Sequence, residues 1–286
     1  MFRQTYKATL KNLFRSGLFW FMVAILGGIV IYNSTTAFQI SYKPNPITGI
    51  VKPIMDTSPQ YELHYGTYIK KIISAVCTDT MFYAMPIFTV VSTVLILNRD
   101  YGDNFYEIEK SSGISNITYL LGRIAALTTV NFSLVTIASF ASFHIYIITR
   151  GGLSVVGLTY YITDSTVRLM RAIVFMAFPT ILFYIGITFL FGCILRSGLY
   201  ASIISLGYIM FYPLQKILIK GVLPQIYADY LSPIPDKLKD YLYWYDTYGF
   251  NTNLSYKEAI LAFLFQPAVF LLTIVISYLF TRKRDK

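Results

Sequence analysis

The chain has 286 residues, 55% of them hydrophobic, 17% aromatic and only 13% charged, where a soluble domain carries about a quarter charged residues. The apolar residues gather in runs of about 20, the length a bilayer-spanning helix needs, and this excludes an ordinary soluble fold. The formal net charge of +10 does not point to nucleic acid, because cytoplasmic Lys and Arg that orient a membrane protein account for it.

The first 15 residues precede the first apolar run. Phe2, Tyr6, Leu10 and Leu13 recur at helical spacing beside a basic stripe of Arg3, Lys7, Lys11 and Arg15. That pattern predicts an amphipathic helix over 1–15 lying on an anionic leaflet. The run that follows, 17–33, has no small-residue cleavage site at its end, so it reads as a retained first span rather than a signal peptide. A polar segment over 34–76 holds Pro44, Pro46, Pro53 and Pro59 and reads as external. The second span covers 77–97. A charged stretch from Arg99 to Lys110 follows, and then a long third span over 118–148. The fourth span, 172–195, and the fifth, 199–219, are separated only by Arg196, Ser197 and Gly198. A second external segment, 220–257, is rich in tyrosine, and the sixth span covers 259–280.

The expected architecture is therefore an all-α integral membrane protein, one transmembrane domain over 1–286 with six spans. Six spans place both termini on one side. Both termini are densely basic, which puts them in the cytoplasm of a multi-pass protein of the cell membrane. Cys77 and Cys193 fall near opposite faces, so no disulfide between them is expected. His64 and His144 stand in no catalytic or metal-binding motif.

The most informative stretch joins spans two and three. Asp103 is placed to cap a short helix, Phe105 and Ile108 fall on one face, and Gly113 is suited to end it in a left-handed conformation. The product is a short amphipathic peg that offers Phe105, Tyr106 and Ile108 with the carboxylates Glu107 and Glu109. Two other faces carry small polar groups. Span two has Met85, Thr89, Ser92 and Thr93, and span five has Ser202, Ser205, Tyr208 and Tyr212 at helical spacing. Such groups gain nothing against lipid, so they should face protein or a cavity.

In these parts the chain resembles the membrane subunits of type-2 ABC exporters. The matching features are Gly102, Ile108, Ser112 before the turn, Ser115, and Leu120-Leu121-Gly122-Arg123 opening span three. Gly113 departs from the proline common in that family but still stops the helix. The resemblance covers nearly the whole chain: surface helix, six spans, loop between spans two and three, tight turn between four and five, and external segment before six. It implies that 103–109 form a coupling helix, and that Asp103, Phe105, Tyr106, Glu107, Ile108 and Glu109 dock on a separate ATPase subunit. It implies a second permease protomer, of the same or a homologous chain, and a substrate path between spans two and five. ATP and Mg would sit in the partner ATPase. This chain holds no Gly-x-x-x-x-Gly-Lys-Ser/Thr phosphate loop and is not itself expected to be an enzyme. The cargo implied is amphipathic or hydrophobic, a lipid-like molecule or a peptide.

Other readings stay open. A sensor or self-protection complex against membrane-active peptides would use the same parts. A secondary transporter usually needs ionisable groups near the bilayer midplane, whereas Asp79, Arg123, Arg168 and Arg171 fall near span ends. A membrane hydrolase lacks its His-Glu-x-x-His or Gly-x-Ser-x-Gly motif here.

Overall fold

The computed structural model describes residues 1–36, 84–150, 170, 173–218 and 256–284. Within them the chain is all-helical: α1 (Phe2–Arg15), α2 (Gly17–Thr36), α3 (Ala84–Gly102), α4 (Phe105–Ser111), α5 (Asn116–Arg150), α6 (Phe178–Leu195), α7 (Gly198–Leu218) and α8 (Tyr256–Arg284). A π-helical turn, Ile173–Ala177, leads into α6. Helices thus lie where the six apolar runs and the two amphipathic segments were expected. The segments expected to be external, 34–76 with His64 and 220–257, fall almost wholly outside the described residues, as does Cys77 at the start of the second expected span.

Among the described residues, three helical stretches are long and apolar enough to cross a membrane: Asn116–Ala141, Phe178–Leu195 and Phe263–Arg282. A fourth counts if α1 and the first part of α2 are taken as one span, although a 70° bend separates them. Three to four such helices are what a membrane protein carries. The chain bends at Ser16, whose backbone is extended and whose hydroxyl accepts the Phe19 N–H at 3.4 Å. Trp20 braces the elbow, its indole N–H donating to the Phe14 carbonyl at 2.9 Å.

The register of side-chain contacts gives the relative directions. Thr180 meets Gln266, and Gly186 lies against Phe270 and Thr273, so the numbers rise together and α6 runs parallel to α8. Thr188 meets Ser205 while Tyr184 meets Tyr208, so α6 and α7 are antiparallel. Ser92 meets Asn131 while Asp100 meets Tyr119, so α3 and α5 are antiparallel too. Small residues set the closest approaches. Gly192 receives the Leu97 side chain of α3, and Gly198 receives Asn98. In an apolar solvent helix association rests on such close packing and on hydrogen bonds between helices.

Those hydrogen bonds are individually weak. Asn131 Nδ2 donates to Ser92 Oγ at 3.0 Å and to the Leu127 carbonyl at 2.8 Å, all of it buried. Paired polar groups between membrane helices contribute only about 0.6 kcal/mol on average, up to about 1.7. Asn131→Val should therefore lower the unfolding free energy in detergent by that amount. A loss several times larger would show that Asn131 has a role beyond this pair.

Candidate functional site

α4 begins where α3 stops. The α3 helix continues past the expected end of span two through Arg99, Asp100 and Tyr101, and Gly102 closes it. Asn104 then turns the chain with a positive φ of 56°. Asn104, not Asp103, is the N-cap of α4, and it makes no side-chain capping bond. Asp103 instead stays exposed, its backbone N–H closing the last turn of α3 on the Arg99 carbonyl. The reason is conformational. A left-handed residue is needed at the corner, and asparagine tolerates that region better than most. At the far end Gly113 adopts φ 83° and donates its N–H to the Lys110 carbonyl, the left-handed stop read from the sequence. Ser115 opens α5, its Oγ accepting the Thr118 N–H at 3.4 Å.

The faces of α4 differ sharply. Asp103, Glu107 and Ile108 are exposed, Ile108 by 57%. Phe105 is half-buried, covered by the Arg99 guanidinium at 4.4 Å from its ring centre. Tyr106 and Glu109, expected on the docking surface with the others, turn toward the bundle in this chain. Tyr106 is buried against Tyr119, ring centres 5.1 Å apart edge to face, and against Tyr101 at 5.9 Å. A seven-residue helix beside a bundle must bury one stripe, and the tyrosine ring supplies the largest apolar area on it.

Beneath α4 lies a charged anchor. The Arg123 side chain is wholly buried, and Nη2 donates to Asp100 Oδ1 at 2.6 Å and to Glu109 Oε1 at 2.9 Å. Nη1 donates to the Thr9 hydroxyl at 2.8 Å, which in turn donates to the Thr5 carbonyl at 2.8 Å. Tyr119 donates its phenolic hydroxyl to the other Asp100 oxygen at 2.6 Å. One guanidinium therefore ties together α1, α3, α4 and α5. Burial raises the Asp100 and Glu109 carboxyls above their ordinary values, and Arg123 is the main opposing influence on each. Glu109 Oε2 and Arg123 Nε are buried without a hydrogen-bond partner.

The same anchor sets the face that α1 turns to the bundle, where Thr5, Thr9 and Leu13 are buried. Gly122 explains why. A side chain there would collide with the Thr5 methyl and Cβ at 2.9 Å, so its absence lets α1 lie close against α5. Phe2 is left exposed, while Arg3, Lys7, Lys11 and Arg15 form the outward basic stripe as expected.

The residues expected along a substrate path divide differently. Met85, Thr89, Ser92 and Thr93 are all buried within this one chain. Thr89 and Thr93 donate to the carbonyls of Met85 and Thr89, each at 2.8 Å, and Ser92 faces Asn131. Ser205 is buried against Thr188 at 3.1 Å. In the single chain these side chains pack helices together. Ser202 and Tyr208 keep partial exposure, with Tyr208 lying 6.0 Å from the Phe183 ring. The Tyr212 side chain lies outside the described residues. No group of His, Cys, Asp and Glu among the described residues is arranged to hold a metal ion.

No protein-family model matches the chain, and no curated protein matches it. Its functional reading therefore rests on the geometry of α4 and its anchor.

Proposed function

We propose that the chain is the permease subunit of an ATP-binding-cassette exporter. In this reading it is a six-span protein of the cell membrane with both termini in the cytoplasm. It works with a separate ATPase subunit that binds ATP and Mg, and with a second permease protomer. α4 is the coupling helix. The observation that carries this is the contrast between its faces. Glu107 and a largely exposed Ile108 point outward, while the inner face is fixed by a buried guanidinium and three tyrosine rings. A short helix needs no such foundation to serve as a loop. It does need one to transmit force from a partner to the helices on either side of it, α3 and α5. The cargo is amphipathic or hydrophobic and passes beside α7, where Ser202 and Tyr208 retain open surface.

Fully burying an isoleucine or phenylalanine side chain contributes about 1.5–3 kcal/mol. Phe105→Asp with Ile108→Asp should therefore lower the amount of ATPase recovered with the chain by at least ~10-fold, 1.4 kcal/mol being tenfold. Transport should be lost while the membrane domain stays folded, as judged by monodisperse elution. Undiminished ATPase recovery and transport in that variant would refute the coupling role.

A further inference from the structure

The two faces of α1 address different neighbours. Outward stand Arg3, Lys7, Lys11 and Arg15, four residues apart and all exposed, with no Asp or Glu anywhere in the helix. The exposed rings of Phe2 and Phe14 flank them, and the exposed Trp20 sits at the elbow. The helix leads through that elbow directly into the apolar α2, so the stripe is held at the level where a membrane surface would begin. Cationic side chains beside aromatic rings on a surface helix are complementary to anionic headgroups, at about 1 kcal/mol per Lys or Arg near such a surface. Inward, the same helix presents Thr9 to Arg123, and Arg123 holds Glu109 of α4.

We propose that anionic lipid bound along the basic stripe of α1 sets the position of α4 through Thr9, Arg123 and Glu109. The ligand is a phospholipid with a net negative headgroup. When it seats α1, the Thr9 hydroxyl is held where Arg123 reaches it, and Arg123 in turn keeps Glu109 and α4 against the bundle. Without it α1 loosens, Arg123 loses one of its three anchors, and α4 is freer to leave its seat. The importance of α4 rests on the coupling reading above, but the lipid response is a property of this chain alone.

The test uses the full chain in lipid nanodiscs without any ATPase. Discs of phosphatidylcholine are compared with discs holding added phosphatidylglycerol, and amide hydrogen exchange is followed in α1 and α4. Linked sites differ typically by about 5–150-fold, so phosphatidylglycerol should slow exchange in α4 by at least ~5-fold. Arg3→Gln with Lys7→Gln and Lys11→Gln should remove the response in both helices. Thr9→Val should keep the response of α1 and lose that of α4. Raising salt to 1 M, where the screening length falls from about 10 to about 3 Å, should erase the wild-type difference without any mutation. Identical exchange of α4 in the two disc types would overturn the proposal. So would a full α4 response in Thr9→Val, or inorganic phosphate reproducing the response in phosphatidylcholine discs. If α4 responds but ATPase recovery is unaffected by the Phe105 and Ile108 substitutions, the lipid linkage stands and the coupling reading falls.

Discussion

Arg123→Met should destabilise the chain by about 3–5 kcal/mol, the cost of removing one partner from a buried ion pair. The size follows from what stays behind. Asp100 is 1% exposed and would retain a hydrogen bond only from the Tyr119 hydroxyl, and Glu109 would lose its guanidinium as well. Thr9 would lose the donor that holds α1 to α5. Denaturant titration in mild detergent should show the loss, with exposure of α4 and α1 to protease ahead of the rest. Asp100→Leu combined with Arg123→Met should recover part of the loss. Replacing a buried pair by apolar groups is often neutral, whereas breaking it is not. If the double variant is as unstable as the sum of the two single variants, the pair is not coupled as the distances indicate.

Gly186→Leu should cost about 1–3 kcal/mol, the usual penalty for overpacking a well-filled interior, and more if the backbone has to move. At Gly186, α6 lies close against α8. A Cβ placed there meets the Thr273 hydroxyl and comes within 3.0 Å of the Phe270 ring and 3.4 Å of the Phe270 Cα. The Thr273 hydroxyl and the Phe270 ring would have to give way, and the further atoms of a leucine have the α8 backbone beside them. Thermal unfolding should fall markedly for Gly186→Leu. It should be partly restored by Thr273→Ala, which removes the hydroxyl the new Cβ meets. Wild-type stability in the single variant would mean that α6 and α8 are not packed at this register.

Much of this arrangement was legible in the sequence. Apolar runs fixed where the long helices lie, because a bilayer-length run has few other uses. The far end of α4 was also readable, since Gly113 is suited to a left-handed stop. The corner at the start of α4 was misread by one residue. Asp103 has the better capping side chain, but the tight exit from α3 demanded a left-handed residue, and Asn104 supplied it. The face that α1 turns to the bundle was not legible, because it depends on Gly122, more than 100 residues on, whose missing side chain leaves room for Thr5. The anchor itself was invisible for the same reason. Asp100 and Arg123 are 23 residues apart, on different helices, and only the packing of four helices brings Thr9 and Glu109 to the same guanidinium. The small polar faces of α3 and α7 were expected to meet protein or a cavity; Met85, Thr89, Ser92, Thr93 and Ser205 pack inside this chain, while Ser202 and Tyr208 keep partial exposure.

The polar contacts between α6, α7 and α8 also carry a timetable for biogenesis. Chains emerge from the ribosome at about 5–20 residues per second. Thr188 and Ser205 are 17 residues apart, so the second hydroxyl emerges about 1–3 s after the first. Only Arg196 and Ser197 separate the two helices, so α6 and α7 pair as one hairpin that buries both hydroxyls. Thr180 and Gln266 are 86 residues apart, a delay of about 4–17 s at the same rate. α8 is thus the last of the described helices to emerge, after both helices of that hairpin. A chain halted before α8 would leave the Gly186 face of α6 uncovered.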